Sequence, residues 1–102
     1  MPINSSLAKD KKLLTITITD RFDYALHQGF RDAYRQVNEP GYTFAVNLSG
    51  ANYMDSSALG MVLLLKEHAD KLGGQVVITQ PHPSVAKILR IANFDRFVKI
   101  EN

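Results

Sequence analysis

Hydrophobic and polar residues change their spacing along this chain in a way that marks out one element after another. Leu14, Ile16 and Ile18 alternate with Thr15, Thr17 and Thr19, and a period of two with β-branched residues on both faces predicts a strand. Asn4–Lys9 is expected to form a short partner strand before it, joined by a turn at Asp10–Lys12. From Asp23 to Val37 the spacing lengthens. Phe22, Leu26, Phe30, Ala33 or Tyr34, and Val37 recur at three and four, the stripe of an amphipathic helix. Asn38-Glu39-Pro40-Gly41 ends it, because proline and glycine together interrupt a helix. Alternation returns over Tyr42–Leu48, with Phe44, Val46 and Leu48 on one side, and Ser49–Asp55 reads as a polar loop. The longest predicted helix covers Ser56–Leu72 and stops at Gly73-Gly74, a C-terminal glycine signal. A short strand at Gln75–Thr79, a loop at Gln80–Pro83, a helix over Ser84–Ala92 and a strand at Phe97–Ile100 complete the chain.

The order β-β-α-β-α-β-α-β predicts an α/β fold, one domain over residues 1–102. It would be a mixed, mostly parallel sheet of about four to five strands with helices packed against it and right-handed crossovers. If the strands ending at Thr19, Leu48 and Thr79 are parallel, the loops after them gather at one edge. Those loops hold Asp20–Asp23, Asn52–Ser57 and Gln80–Ser84. Open α/β sheets place their sites at the carboxyl ends of strands.

Asn52–Gly60 leads directly into the long helix. Asp55 is an N-cap candidate and Ser56 and Ser57 would occupy the first turn, so simple capping accounts for all three. A sharper reading makes one hydroxyl a modification site. A phosphate there would face free amides and the positive end of the helix dipole, and would add about −1.5 to −2 charges. Beside Asp55 and Asp23 that charge would make the edge acidic enough to repel a partner that accepts the neutral serine. Farther along, Ala58, Val62, Leu65, Ala69 and Leu72 form the expected core stripe, with Ser56, Gly60, Glu67 and Lys71 opposite. Leu63 and Leu64 flank the outward side. Either a neighbouring element covers them, or they form an exposed patch for a partner protein.

Composition narrows the classes. The chain has 102 residues, 45% of them apolar, and no cysteine, which suits one domain with a real core and excludes disulfides, thiolate metal sites and cysteine nucleophiles. Its longest purely apolar run is Met61–Leu65, against the ~20 residues that span a bilayer. Met1–Lys12 lacks the apolar centre of a secretion signal, so no membrane contact and a cytoplasmic location are expected. Twelve basic and ten acidic residues give +2, but the signs alternate at Lys9-Asp10-Lys11-Lys12, Asp20-Arg21, Lys66-Glu67 and Asp95-Arg96. Nucleic acid, which asks for a basic stripe, is not an expected partner. Ser56 lacks a nucleophile-elbow motif, and His27, His68 and His82 show no matching signature. Glycine phosphate loops and paired-histidine metal spacings are also missing. The chain is therefore expected to have no catalysis, cofactor or metal of its own.

Met54-Asp55-Ser56-Ser57 with Leu59-Gly60 resembles the D-S-[ST]-G-[LV]-G signature of STAS domains, the anti-sigma factor antagonist (anti-anti-sigma factor) family. Gly73-Gly74 before Val76–Ile78 resembles that family's return strand. Ser84–Leu89 through Phe94 and Phe97 resembles its last helix and closing strand, and Phe22-Asp23 falls where many members carry a hydrophobic residue and an aspartate. The resemblance implies that Ser56 is phosphorylated by a partner serine kinase that doubles as anti-sigma factor. A PP2C-type serine phosphatase would reverse the step, and the unphosphorylated form, monomeric when free, would bind the partner. Asp55 would cap the helix and orient the Ser56 hydroxyl, Asp23 would be its acidic neighbour, and Ser57 would be the lesser acceptor. Gly60, Leu63 and Leu64 would meet the partner. Ala58 stands where the family usually has glycine, and on the core stripe its methyl should tighten packing. STAS-like domains also serve as non-switching subunits of lipid-transport or other transporter assemblies, the competing implication.

Overall fold

The alternating run at Leu14–Ile18 builds the centre of the sheet. In the computed structural model, which describes residues 2–102, strands β1 (Ile3–Ala8), β2 (Leu13–Phe22), β3 (Thr43–Met54), β4 (Gln75–Thr79) and β5 (Lys99–Glu101) lie side by side in chain order. β1 pairs antiparallel with β2, and every later pair is parallel. Helices α1 (His27–Arg35), α2 (Ser56–Lys71) and α3 (Pro83–Ile91) make the three parallel crossovers. Each crossover steps the same way across the sheet, so a common right hand puts all three helices on one face.

That face is the core. Leu14, Ile16 and Ile18 of β2, Phe44, Val46 and Leu48 of β3, and Val76 and Ile78 of β4 are buried under Phe30, Val62, Leu65, Val85 and Leu89 from the helices. The threonines that alternate with the β2 core residues stay part-exposed on the open face. The expected α2 stripe of Ala58, Val62, Leu65 and Ala69 is fully buried, joined by Met61, while Leu72 is only partly covered.

Three boundaries differ from the sequence reading. Ser49–Asp55 is not a loop: β3 continues to Met54, and β2 continues to Phe22 beside it. Pairing runs Thr17↔Asn47, then Thr19↔Gly50, then Asp20↔Ala51, then Arg21↔Tyr53, so β3 gains one extra residue at each of two register shifts. Bulges of this kind break the two-residue alternation, and the buried positions become Leu48, Ala51 and Met54, a spacing that a strict period of two does not find. The helix expected over Asp23–Val37 is shorter. Phe22 ends β2, Tyr24–Leu26 is a 3-10 turn, and α1 proper stops at Arg35. Near the end of the chain, the strand expected over Phe97–Ile100 is preceded by a 3-10 turn at Phe94–Arg96 and runs over Lys99–Glu101.

Candidate functional site

Two neighbouring strands end the same way. Phe22 of β2 pairs with Met54 of β3, and each buried residue is followed by an aspartate that caps the next helical segment. Asp23 Oδ1 accepts from the Ala25 amide at 3.0 Å, and Asp55 Oδ1 accepts from the Ala58 amide at 3.1 Å. Capping residues sit in extended backbone and turn their oxygens onto free first-turn amides, so strand exit and helix entry are one structure here. The carboxyl-end edge expected from chain order is real. Ser84 at the start of α3 joins it, its hydroxyl donating to the Asn52 carbonyl at 3.3 Å, and His82 caps α3 by accepting from the Ser84 amide.

The two serines of α2's first turn differ. Ser57 is half-buried and its hydroxyl donates to Asp55 Oδ1 at 2.6 Å. Ser56 is exposed, and its hydroxyl bonds no group among the described residues. Asp55 therefore caps the helix as expected, but the hydroxyl it orients belongs to Ser57 rather than Ser56. The reason is helical spacing: the Asp55 carboxylate turned over the first turn meets residues two and three positions on, while Ser56 projects outward. Donation from Ser57 holds the Asp55 carboxyl below its ordinary range, and the Ala58 and Ser57 amides and Arg21 act in the same direction against a smaller burial effect.

Asp23 sits on the neighbouring strand end but makes no bond or ion pair to Ser56. Its carboxylate is engaged by Ala25 and by Arg21 Nε at 3.4 Å. Arg21 was missed in the sequence. Its guanidinium lies 3.9 Å from the centroid of the Tyr53 ring, a cation–π contact, and places one cation near Asp23 and Asp55. Only the bulged register sets Arg21 opposite Tyr53, so no local sequence signal could have found it.

Gly60, Leu63 and Leu64 all lie on the exposed side of α2. Leu63 is 40% and Leu64 59% exposed, so no neighbouring element covers them. A Cβ on Gly60 would meet nothing within 4 Å. On Ser56's other side lies a cleft of about 290 Å3 lined by Met54, Leu59, Ile88, Ile91 and Ala92, almost wholly apolar. Sequence reasoning did not place it, although Ile91 lies outside the α3 core stripe and is 72% exposed.

His68 is remote from this edge: Nε2 donates to the Val37 carbonyl at 2.8 Å, and its ring packs on Tyr34 and Phe44. No group of three or more metal-ligating side chains forms among the described residues. No helix among them is long and apolar enough to cross a membrane. The arrangement thus offers one free hydroxyl, at a helix start, between an apolar cleft and an exposed leucine pair.

The sequence pattern of the STAS domain matches residues 4–102. The chain is 45% identical over 100 residues to the STAS-domain containing protein PA14_20770 of Pseudomonas aeruginosa (strain UCBPP-PA14), covering 98% of this chain and 99% of that one. Among solved structures it is similar to the Bacillus anti-sigma factor antagonist SpoIIAA in its unphosphorylated form, with a TM-score of 0.78 and 19% identity over 98% of this chain and 88% of that one. It is also similar to the STAS domain of a SulP transporter from Vibrio cholerae, with a TM-score of 0.73 and 17% identity over 95% and 77%. At such identities the two structural likenesses describe a shared fold.

Proposed function

This chain belongs to the STAS domain family, and from that membership we propose that it is a protein-binding switch of the anti-sigma factor antagonist kind, controlled by phosphorylation of Ser56. The observation that carries the reading is the division of labour between the two serines. Ser57's hydroxyl is committed to Asp55 at 2.6 Å, whereas Ser56's is exposed and, among the described residues, unbonded at the first turn of α2. A kinase reaching this edge meets Ser56 without breaking the cap.

The phosphate would bring about −1.5 to −2 charges to a helix start that tolerates an anion, so the domain stays folded. Its effect falls on the neighbours. The apolar cleft and the Leu63–Leu64 pair present surface that a partner covers by excluding water, and a dianion at their rim resists that desolvation. Charge near Asp55 and Asp23 adds repulsion against an acidic partner surface. The unphosphorylated chain binds a serine kinase that doubles as anti-sigma factor, or a related regulator. The phosphorylated chain is released, and a PP2C-type serine phosphatase resets it. The chain is acted upon in this cycle and catalyses no step of it, in the cytoplasm where such partners work.

Incubation with the serine kinase and ATP, followed by mass-spectrometric mapping, tests the site. Phosphate on Ser56 supports the assignment, and phosphate on Ser57 alone overturns it. Ser56→Ala should remain in the binding form and Ser56→Asp should bind more weakly, with thermal stability unchanged to within about 0.5 kcal/mol for both. The fold likeness to a SulP transporter domain favours a second reading, a non-switching subunit of a transporter assembly. That reading requires binding indifferent to both Ser56 substitutions.

A further inference from the structure

Between α1 and α2 runs a trough that shares Leu64 with the surface beside Ser56 and otherwise lies outside that switch. Its upper half is floored by Phe30 and Met61 and edged by Tyr24 and Leu64, which are 62% and 59% exposed. Tyr24 is held in place by stacking on His27, ring centroids 4.2 Å apart. Its lower half passes Arg31, Arg35, Glu67 and Lys71. Tyr34, Arg31 and Leu64 line both halves, so the two are continuous.

The charge in the lower half is one-sided. Three cations face one carboxylate, and that carboxylate is already engaged by Lys71 at 3.6 Å. Arg35's partner is Asp32, at 3.7 Å on its own helix, and Arg31 makes no ion pair among the described residues. Burial holds the Tyr34 phenol above its ordinary value, against the pull of Arg31, so Tyr34 adds no negative charge at neutral pH.

We propose that this trough docks an amphipathic helix of a protein partner, apolar where it meets Tyr24 and Leu64 and acidic where it meets Arg31 and Arg35. A helix suits the site because α1 and α2 offer side chains only. An extended peptide needs the unpaired amides and carbonyls of a sheet edge, whereas a helix satisfies its own backbone and presents anchors at i, i+3 and i+4. Complementary charge fixes its register and hastens encounter. A second copy of this chain docking through α3 is a poor match. Its exposed α3 carries Lys87 and Arg90, which would set cations against cations, and its net charge is +2. A nucleic-acid backbone would leave Tyr24 and Leu64 uncovered. The proposal rests on reading the chain as a partner-binding module, but it needs no phosphate on Ser56.

The test is a selection of helical peptides of about 15 residues, long enough to follow α1 and α2, from a display library against the full chain. It is run in parallel against wild type and against Arg31→Glu/Arg35→Glu. Wild type should enrich acidic amphipathic sequences that shift the amide resonances around Arg31 and Leu64, and Leu64→Glu should weaken their binding at least about tenfold. The charge-reversed protein should enrich basic sequences instead. Enrichment without regard to charge, binding elsewhere on the surface, or indifference to Leu64→Glu would overturn the proposal. So would a single-stranded oligothymidylate that displaces the selected peptides. Thermal melts check the fold of each variant, and if Leu64→Glu melts early the charge reversal decides alone. A chain never phosphorylated on Ser56 leaves this result standing, and an empty trough leaves the Ser56 assay standing.

Discussion

Gly60 and Gly74 lie at either end of α2, and a methyl group would have opposite consequences at the two. At Gly60 it would meet nothing within 4 Å, while at Gly74 it would land on the Tyr42 carbonyl oxygen. The region around Gly74 is closed. The Tyr42 carbonyl accepts from the Gln75 amide at 3.1 Å to start the β3–β4 ladder, and Gly41 bonds to the Leu72 carbonyl at 2.9 Å. His68 ties α2 to the chain after α1 in the same region. Around Gly60 the surface is open, with the Ser56 hydroxyl bonded to no group among the described residues and Leu63 and Leu64 in water. One end of α2 is fixed by backbone contacts that leave no room for side chains. The other keeps space that the fold itself does not use, as expected of a surface that binds something else.

Substitutions at four positions would break or sharpen that contrast. Gly74→Ala should be the most damaging. The obstacle is backbone held by the first β3–β4 rung, so relief means parting the strands, at a cost of about 3 kcal/mol or more, read as a lower denaturant midpoint. His68→Ala comes next. It leaves the buried Val37 carbonyl without its donor and removes ring contacts to Tyr34 and Phe44, which should cost about 1–3 kcal/mol in the same measurement.

Asp55→Ala removes the cap of α2 and should cost about 1 kcal/mol. Asp55 also carries a pH signature. Because its folded-state pKa is depressed, its contribution is present above the unfolded value of about 3.9 and is lost as pH falls through the folded value below that. Stability measured across that acid range should fall less steeply in Asp55→Asn, whose amide oxygen still caps, than in wild type. Gly60→Ala has the smallest effect and the opposite sign. Alanine in an open helical position should stabilise by about 0.5–1 kcal/mol, seen as a raised melting temperature. A loss of stability there would show that the two ends of α2 are not as different as their surroundings indicate.

Much of this was legible in the chain itself. Alternation at Leu14–Ile18 and Phe44–Leu48 located the sheet centre, because side chains on a strand must point to opposite faces. The three- and four-residue spacing after Ser56 located the buried stripe of α2 and left Leu63 and Leu64 outside it. Asp55 read as a cap because aspartate before a helical stripe has free amides to accept. Other features depended on distant partners. The bulges that carry β3 on to Met54 exist only against β2, and the seven polar-looking residues from Ser49 to Asp55 gave no sign of them.

The sequence by itself determined the element order, the edge where the loops converge and the serine pair at the start of α2, because each follows from local periodicity and capping chemistry. Tertiary structure decided which serine is free, since the Asp55 carboxylate reaches Ser57 only once the β3 exit and first turn are set. It also placed Arg21 over Tyr53, opened the apolar cleft beside Ser56 and aligned the cations of α1 with α2. These depend on register and on helices meeting across the sheet, and the spacing of residues within one element does not contain them.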